Sequence, residues 1–155
     1  MFVKKSPLEE LGTAVGVGLI AGLAGTAAMT IAQMIEMRLT KRQPSTVPAD
    51  AVSKVLDIKP TEEEKKEKVS EKVHWAYGTS WGVARGLISL TGLRGVPADL
   101  LHFGAVWGAA LIMLPSLKLS PPIHKWDAKT IAIDVLHHGV YAAATGLTFD
   151  LIKRK

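Results

Sequence analysis

From Leu11 to Ala32 the chain runs 22 residues without a charge. At about 1.5 Å per residue a helix of that length covers the roughly 30 Å hydrocarbon core of a bilayer. The segment opens on Ser6-Pro7-Leu8-Glu9, where Ser6 can cap, Pro7 can take the first helical position and Glu9 can return a hydrogen bond to the cap. A cleavable signal peptide has a shorter apolar core with a small-residue cleavage site close behind it. Here Gln33, Met34, Ile35 and Glu36 continue the helical pattern, so the span is predicted to be retained.

Composition agrees with one membrane domain over residues 1–155. Hydrophobic residues make up 48% of the chain and are gathered in blocks, while most charges fall between residues 36 and 72. The net charge of +5 comes from Lys and Arg at the ends of apolar blocks, which suits membrane flanks better than a nucleic-acid surface. With no cysteine, disulfide frameworks, zinc ribbons, iron–sulfur clusters and thiol catalysis are excluded.

Three further spans complete an expected all-α integral membrane bundle of four transmembrane helices, at about 11–34, 72–92, 98–115 and 129–152. The second follows Pro60-Thr61-Glu62-Glu63-Glu64, which predicts a Thr61 cap and i,i+4 pairs from Glu62 to Lys66 and Glu64 to Lys68. Thr91-Gly92 reads as its end. Pro97-Ala98-Asp99 restarts a helix that Pro115 should break, and Asp127 can cap the last one. Pro48 to Asp57 places Ala51, Val52, Val55 and Leu56 on one face, as in a short interfacial amphipathic helix between the first two spans or, equally, an ordinary loop helix packed on the protein. It belongs to a charged extramembrane hairpin at about 38–70. Four spans put both termini on one side; twelve Lys and Arg fall on the other side and six with the termini, which favours cytoplasmic long connections.

Lipid is as apolar as leucine, so transmembrane helices associate through close backbone approach at small residues. Helix packing is therefore expected at Gly18, Gly22 and Gly25, at the i,i+4 row Gly78, Gly82 and Gly86, at Gly104 and Gly108, and at Gly139 and Gly146. Tyr77-Gly78-x-x-Trp81-Gly82 and Phe103-Gly104-x-x-Trp107-Gly108 share a pattern that internal duplication or a common steric need would each explain.

Ionisable residues inside a span should face the bundle and find partners. The candidate polar or ion site comprises His74, Asp134, His137, His138, Arg85 and His102, with Arg85 within reach of Asp150 or Asp99. Glu71-x-x-His74 and Asp134-x-x-His137 resemble half of a di-metal bundle, although the third helix supplies no carboxylate. His74 and His137 are also candidates for a non-covalent haem. Stripes through His74, Tyr77, Trp81 and Arg85, and through Asp134, His138, Tyr141 and Thr145, suggest an ion path or simple cross-links. Gly16-x-Gly18-x-x-Ala21 imitates a dinucleotide fingerprint, yet no strand precedes it. No nucleophile elbow, Walker loop or zinc-protease motif occurs.

Gly22-Leu-Ala-Gly25-Thr-Ala-Ala-Met29-Thr, Pro44-Ser45, His74-Trp-Ala-Tyr77-Gly78-Thr-Ser-Trp81-Gly82 and the final His138-Gly139-x-Tyr141 together resemble small uncharacterised multi-pass bacterial inner-membrane proteins of the YagU type. The resemblance implies location and topology and carries no activity with it. The expected role is non-enzymatic: a structural or accessory subunit packing through glycine faces and presenting the charged hairpin to a partner or to lipid headgroups, with no cofactor and no nucleic acid. The alternatives are a small oligomeric channel or transporter using the His/Asp residues, and a haem or metal protein in electron transfer. Partners expected are membrane lipids, with a protein partner or further copies of the chain.

Overall fold

A computed structural model describes residues 6–59 and 61–153, and these form helices without a strand. The elements are α1 (Pro7–Thr40), α2 (Val47–Val55), α3 (Glu63–Leu90), α4 (Gly95–Ser116), a 3-10 turn (Ile123–Lys125) and α5 (Ala128–Lys153). The chain is thus all-α, and two of its helices, α1 and α4, are long and apolar enough to cross a membrane.

Local chemistry sets most of the boundaries. The Ser6 amide donates to the Glu9 carboxylate at 2.7 Å and the Glu9 amide donates to the Ser6 hydroxyl at 3.3 Å, a reciprocal cap that satisfies two otherwise orphaned donors. Lys41 ends α1 in the left-handed conformation, at φ +57°. Gly92, at φ +89°, follows the Thr91 cap of α3 and takes a conformation that costs glycine little. The Thr130 amide donates to the Asp127 carboxylate at 2.7 Å, fixing the start of α5.

Three expectations need correction. Glu62, not Thr61, occupies the cap position of α3 and makes no side-chain cap; the acidic Glu63 and Glu64 complement the positive helix end instead. Pro60, part of that start signal, lies outside the described residues, as do Lys4, Lys5, Arg154 and Lys155 of the charge count. The surface pairs have i,i+3 spacing, Glu62 with Lys65 at 2.6 Å and Glu63 with Lys66 at 2.8 Å, because Lys66 is also drawn to Asp50 of α2 at 3.0 Å. Helix α4 begins earlier than expected and carries Pro115 inside its last turn. A proline there forfeits one hydrogen bond near the helix end, which is cheaper than interrupting a long helix.

Helix α1 packs against α3 and α5, while α4 completes the ring against α5 and α3. Antiparallel α1 and α3 meet at matched levels: Ala14 with Gly86, Gly18 and Gly22 with Gly82, Thr26 with Gly78. A methyl group on Gly82 would collide with the Gly18 carbonyl oxygen and stand 2.6 Å from the Gly22 Cα, so the two backbones are in direct contact. Gly25 receives Tyr141 and Thr145 of α5, and Gly146 receives the Asp99 carboxylate of α4.

Gly104, Gly108 and Gly139 are different: nothing lies within 4 Å of where a Cβ would sit. The reason is rotational. Helix α4 turns the row Ala98, His102 and Val106 inward, and at about 100° per residue the two glycines then point away. The shared aromatic-Gly pattern is therefore used in two ways, internally by α3 and on the surface by α4.

Buried residues are small or polar, including Ala14, Ala21, Thr26, Arg85, His102 and Thr145, with Tyr141 and Phe149 as the large apolar bodies. Large aliphatic residues lie outside, among them Ile20 (57% exposed), Leu100 (64%), Ile112 (72%) and Leu147 (66%). Gly82→Leu should destabilise the fold by at least about 2 kcal/mol through backbone overpacking. Gly104→Leu should leave stability within about 0.5 kcal/mol of the parent. Denaturant titration in detergent checks both, and equal losses would refute the assigned packing face.

Candidate functional site

Polar side chains gather at two levels of the bundle, joined by a narrow buried stretch. At the end near the termini Arg85 of α3 is fully buried. Its Nε donates to Asp99 Oδ1 of α4 at 2.9 Å and its Nη2 donates to Asp150 Oδ1 of α5 at 2.8 Å. The guanidinium lies 4.8 Å from the Phe149 ring centroid, in cation–π range. Both acids named from sequence thus hold Arg85 together, and three helices are tied at one point. Its Nη1 has no hydrogen-bond partner.

One turn further in, His102 Nε2 lies 3.1 Å from the Trp81 carbonyl. A carbonyl only accepts, so Nε2 carries the proton, leaving Nδ1 buried without a partner. The His102 ring also packs on Tyr141, with centroids 5.6 Å apart, and the Tyr141 hydroxyl donates to the Gly78 carbonyl at 2.6 Å. Gly25 of α1 leaves the room that Tyr141 occupies, as a Cβ there would meet its ring and carbonyl.

At the α2 end His74 Nε2 meets the Thr30 hydroxyl at 3.2 Å. Asp134 accepts from the Trp107 indole at 2.7 Å and stands 3.6 Å from His138 Nδ1. Glu36 is clamped by Arg42, with Nη2 and Nε at 2.7 and 3.1 Å from Oε2, and by the Thr40 hydroxyl at 2.8 Å. The Arg42 hydrogen bonds hold this carboxyl below its ordinary value, outweighing the desolvation that pushes it up, and Thr40 acts in the same direction as Arg42.

A cavity of about 730 Å³ lies between α2 and the neighbouring ends of α1, α3 and α4. Met34, Met37, Val52, Met113 and Leu114 supply much of its apolar wall, and His74 and His138 both border it. Helix α2 is held over it by the Asp50–Lys66 ion pair and at two further points. The Ala49 amide donates to the Ser70 hydroxyl at 3.1 Å, and the Lys54 ammonium donates to the Leu117 carbonyl at 2.6 Å.

The ligand set Glu71, His74, Asp134 and His137 is not brought together: among the described residues no group of three or more His, Asp and Glu side chains could hold a metal ion. His137 and His138, adjacent on α5, point about 100° apart. It is His138 that shares a cavity with His74, while His137 is buried with its Nε2 unpartnered. Nor do the two sequence stripes face each other as continuous rows. Tyr77 is 41% exposed and meets Trp81 edge-on, with centroids 6.0 Å apart. Sequence reasoning missed the Glu36–Arg42 clamp, the Trp107–Asp134 bond and the cavity, because each joins residues across a helix end or between helices, where periodicity gives no signal.

No protein-family model matches the chain, and no curated protein or solved structure does either. The site therefore stands on its own chemistry.

Removing the cation from a buried ion cluster leaves uncompensated charge. Arg85→Met should cost about 3 kcal/mol, the low end of the usual range because both carboxylates keep some exposure. Adding Asp99→Asn and Asp150→Asn should restore most of it, as read by unfolding in detergent. A single variant as stable as the parent would refute the assignment. For Glu36, a lowered folded pKa means that the stabilisation is complete above the ordinary value of 4.5. It is lost as pH falls through the lower folded value. Arg42→Gln should flatten that acid limb in a stability–pH profile, and an unchanged limb would place it elsewhere.

Proposed function

We propose that the chain is an integral membrane protein of four spans, α1, α3, α4 and α5, acting as a structural or accessory subunit with α2 lying in the interface. The observation that carries this reading is the inverted distribution of side chains: aliphatic residues ring the outside while Arg85, His102, Thr26 and Thr145 fill the inside. Water would select the opposite arrangement, and lipid favours this one. Helices α3 and α5 fail a simple length-and-hydropathy test because their polar residues are turned inward, where partners offset the insertion cost.

The accessory role rests on the glycines left over. Gly104 and Gly108 lie on a face of α4 flanked by exposed Leu100, Leu101 and Ile112, a ridge at small-xxx-small spacing that the bundle itself leaves unused and that suits a helix of another subunit or copy. Both termini lie on one side, and α2 with the α4–α5 connection lies on the other, cytoplasmic side by its excess of basic residues. The resemblance to YagU-type proteins supports a bacterial inner membrane.

Co-purification from native membranes in mild detergent tests the proposal. The double variant Gly104→Leu/Gly108→Leu should fold normally yet lose its partner subunits or its own oligomer. Deleting residues 45–66 should weaken recovery through the hairpin. Undiminished recovery by both variants would count against an accessory role.

A further inference from the structure

The cavity beneath α2 has a charge asymmetry that its apolar walls make consequential. Two carboxylates border it, Glu67 and Glu71 of α3. Neither is in a salt bridge among the described residues, whereas the one Lys or Arg that lines the cavity is committed elsewhere. Arg42, which lines the cavity, is clamped by Glu36. Lys66 is shared between Asp50 and Glu63, and Lys54 is bonded to the Leu117 carbonyl. Trp75 and Tyr77 add aromatic surface to the same wall. The volume falls within the roughly 300–1,000 Å³ of pockets that enclose small organic ligands.

Each ligand class makes a different demand on such a wall. A phospholipid phosphate or a fatty-acid carboxylate needs a free Lys or Arg on the wall itself, and here the lining offers two acids and an Arg42 already held by Glu36. A neutral hydrocarbon would leave those acids unanswered. An organic cation with a bulky apolar body satisfies both parts: its charge is drawn to Glu67 and Glu71 and to aromatic faces, and its body displaces water from methionine and branched side chains that adapt to varied shapes. Val55 and Leu56 line the cavity and are also 63% and 62% exposed, so, resting on the interfacial position proposed above for α2, the opening lies at the depth where amphiphiles collect.

We propose that this cavity is a binding site for lipophilic organic cations, with Glu67 and Glu71 as the charge-recognising residues and Trp75 and Tyr77 as the aromatic wall. Tetraphenylphosphonium is a suitable probe, titrated into the full-length protein in zwitterionic lipid nanodiscs and followed by tryptophan fluorescence or calorimetry. Binding should saturate above the signal of empty nanodiscs. Glu67→Gln/Glu71→Gln should weaken it about tenfold or more, while Glu64→Gln, one residue type on the same helix outside the cavity, should leave it unchanged. Tetraphenylborate, of the same shape and opposite charge, titrated on its own, should show no binding beyond that of empty nanodiscs. Both glutamates are exposed, so the double variant should retain its fold, checked by its unfolding midpoint. The proposal is overturned by partitioning no greater than in empty nanodiscs, by equal affinity in the double variant, or by saturable binding of tetraphenylborate titrated on its own.

Discussion

The rest of the structure depends on the direct contact between the backbones of α1 and α3. Gly18 and Gly22 meet Gly82, and Ala14 meets Gly86, with no side chain between them. Once two helices approach so closely, their rotation about their own axes is fixed to within a small angle, since any turn drives a Cβ into a neighbouring carbonyl. That rotation decides which residues point inward: Thr26 and Thr30 from α1, His74 and Arg85 from α3. The polar interior is a consequence of the glycine contact, and α5 then fits against both helices by placing Tyr141 and Thr145 over Gly25.

A second device ties the helices that glycine does not. Arg85 joins α3 to α4 through Asp99 and to α5 through Asp150. Buried ion clusters add little net stability compared with apolar replacements, but each wrong register leaves a charge unpaired. The cluster therefore acts on alignment along the bundle axis, while the glycine contact acts on separation and rotation. Gly146 makes the two compatible, because any side chain there would occupy the space of the Asp99 carboxylate.

Much of this was legible in the amino-acid sequence, for identifiable reasons. Caps are local, so Ser6, Glu9, Thr91 and Asp127 marked helix ends correctly from spacing alone. Glycine rows on α1 and α3 mark faces because small residues at i,i+4 serve few other purposes inside an apolar helix. The rule failed on α4, where the row Ala98, His102 and Val106 won the interior and left Gly104 and Gly108 outside; nothing in a single helix says which of two smooth faces a neighbour will choose. The histidines show the same limit. Spacing offered Asp134 both His137 at i,i+3 and His138 at i,i+4; His138 stands beside it while the Trp107 indole of α4 bonds it, and that bond is invisible within α5. Arg85 succeeded because a lone buried cation has few acids within reach.

The bond from the Lys54 ammonium to the Leu117 carbonyl links two connections that are 63 residues apart in sequence. It acts as a strut between the amphipathic segment and the end of α4. Any force that lifts that segment from the bundle is transmitted along the strut to a helix whose outer glycines, Gly104 and Gly108, are bare. The segment and the end of α4 are therefore braced against each other by a contact that the covalent chain does not supply.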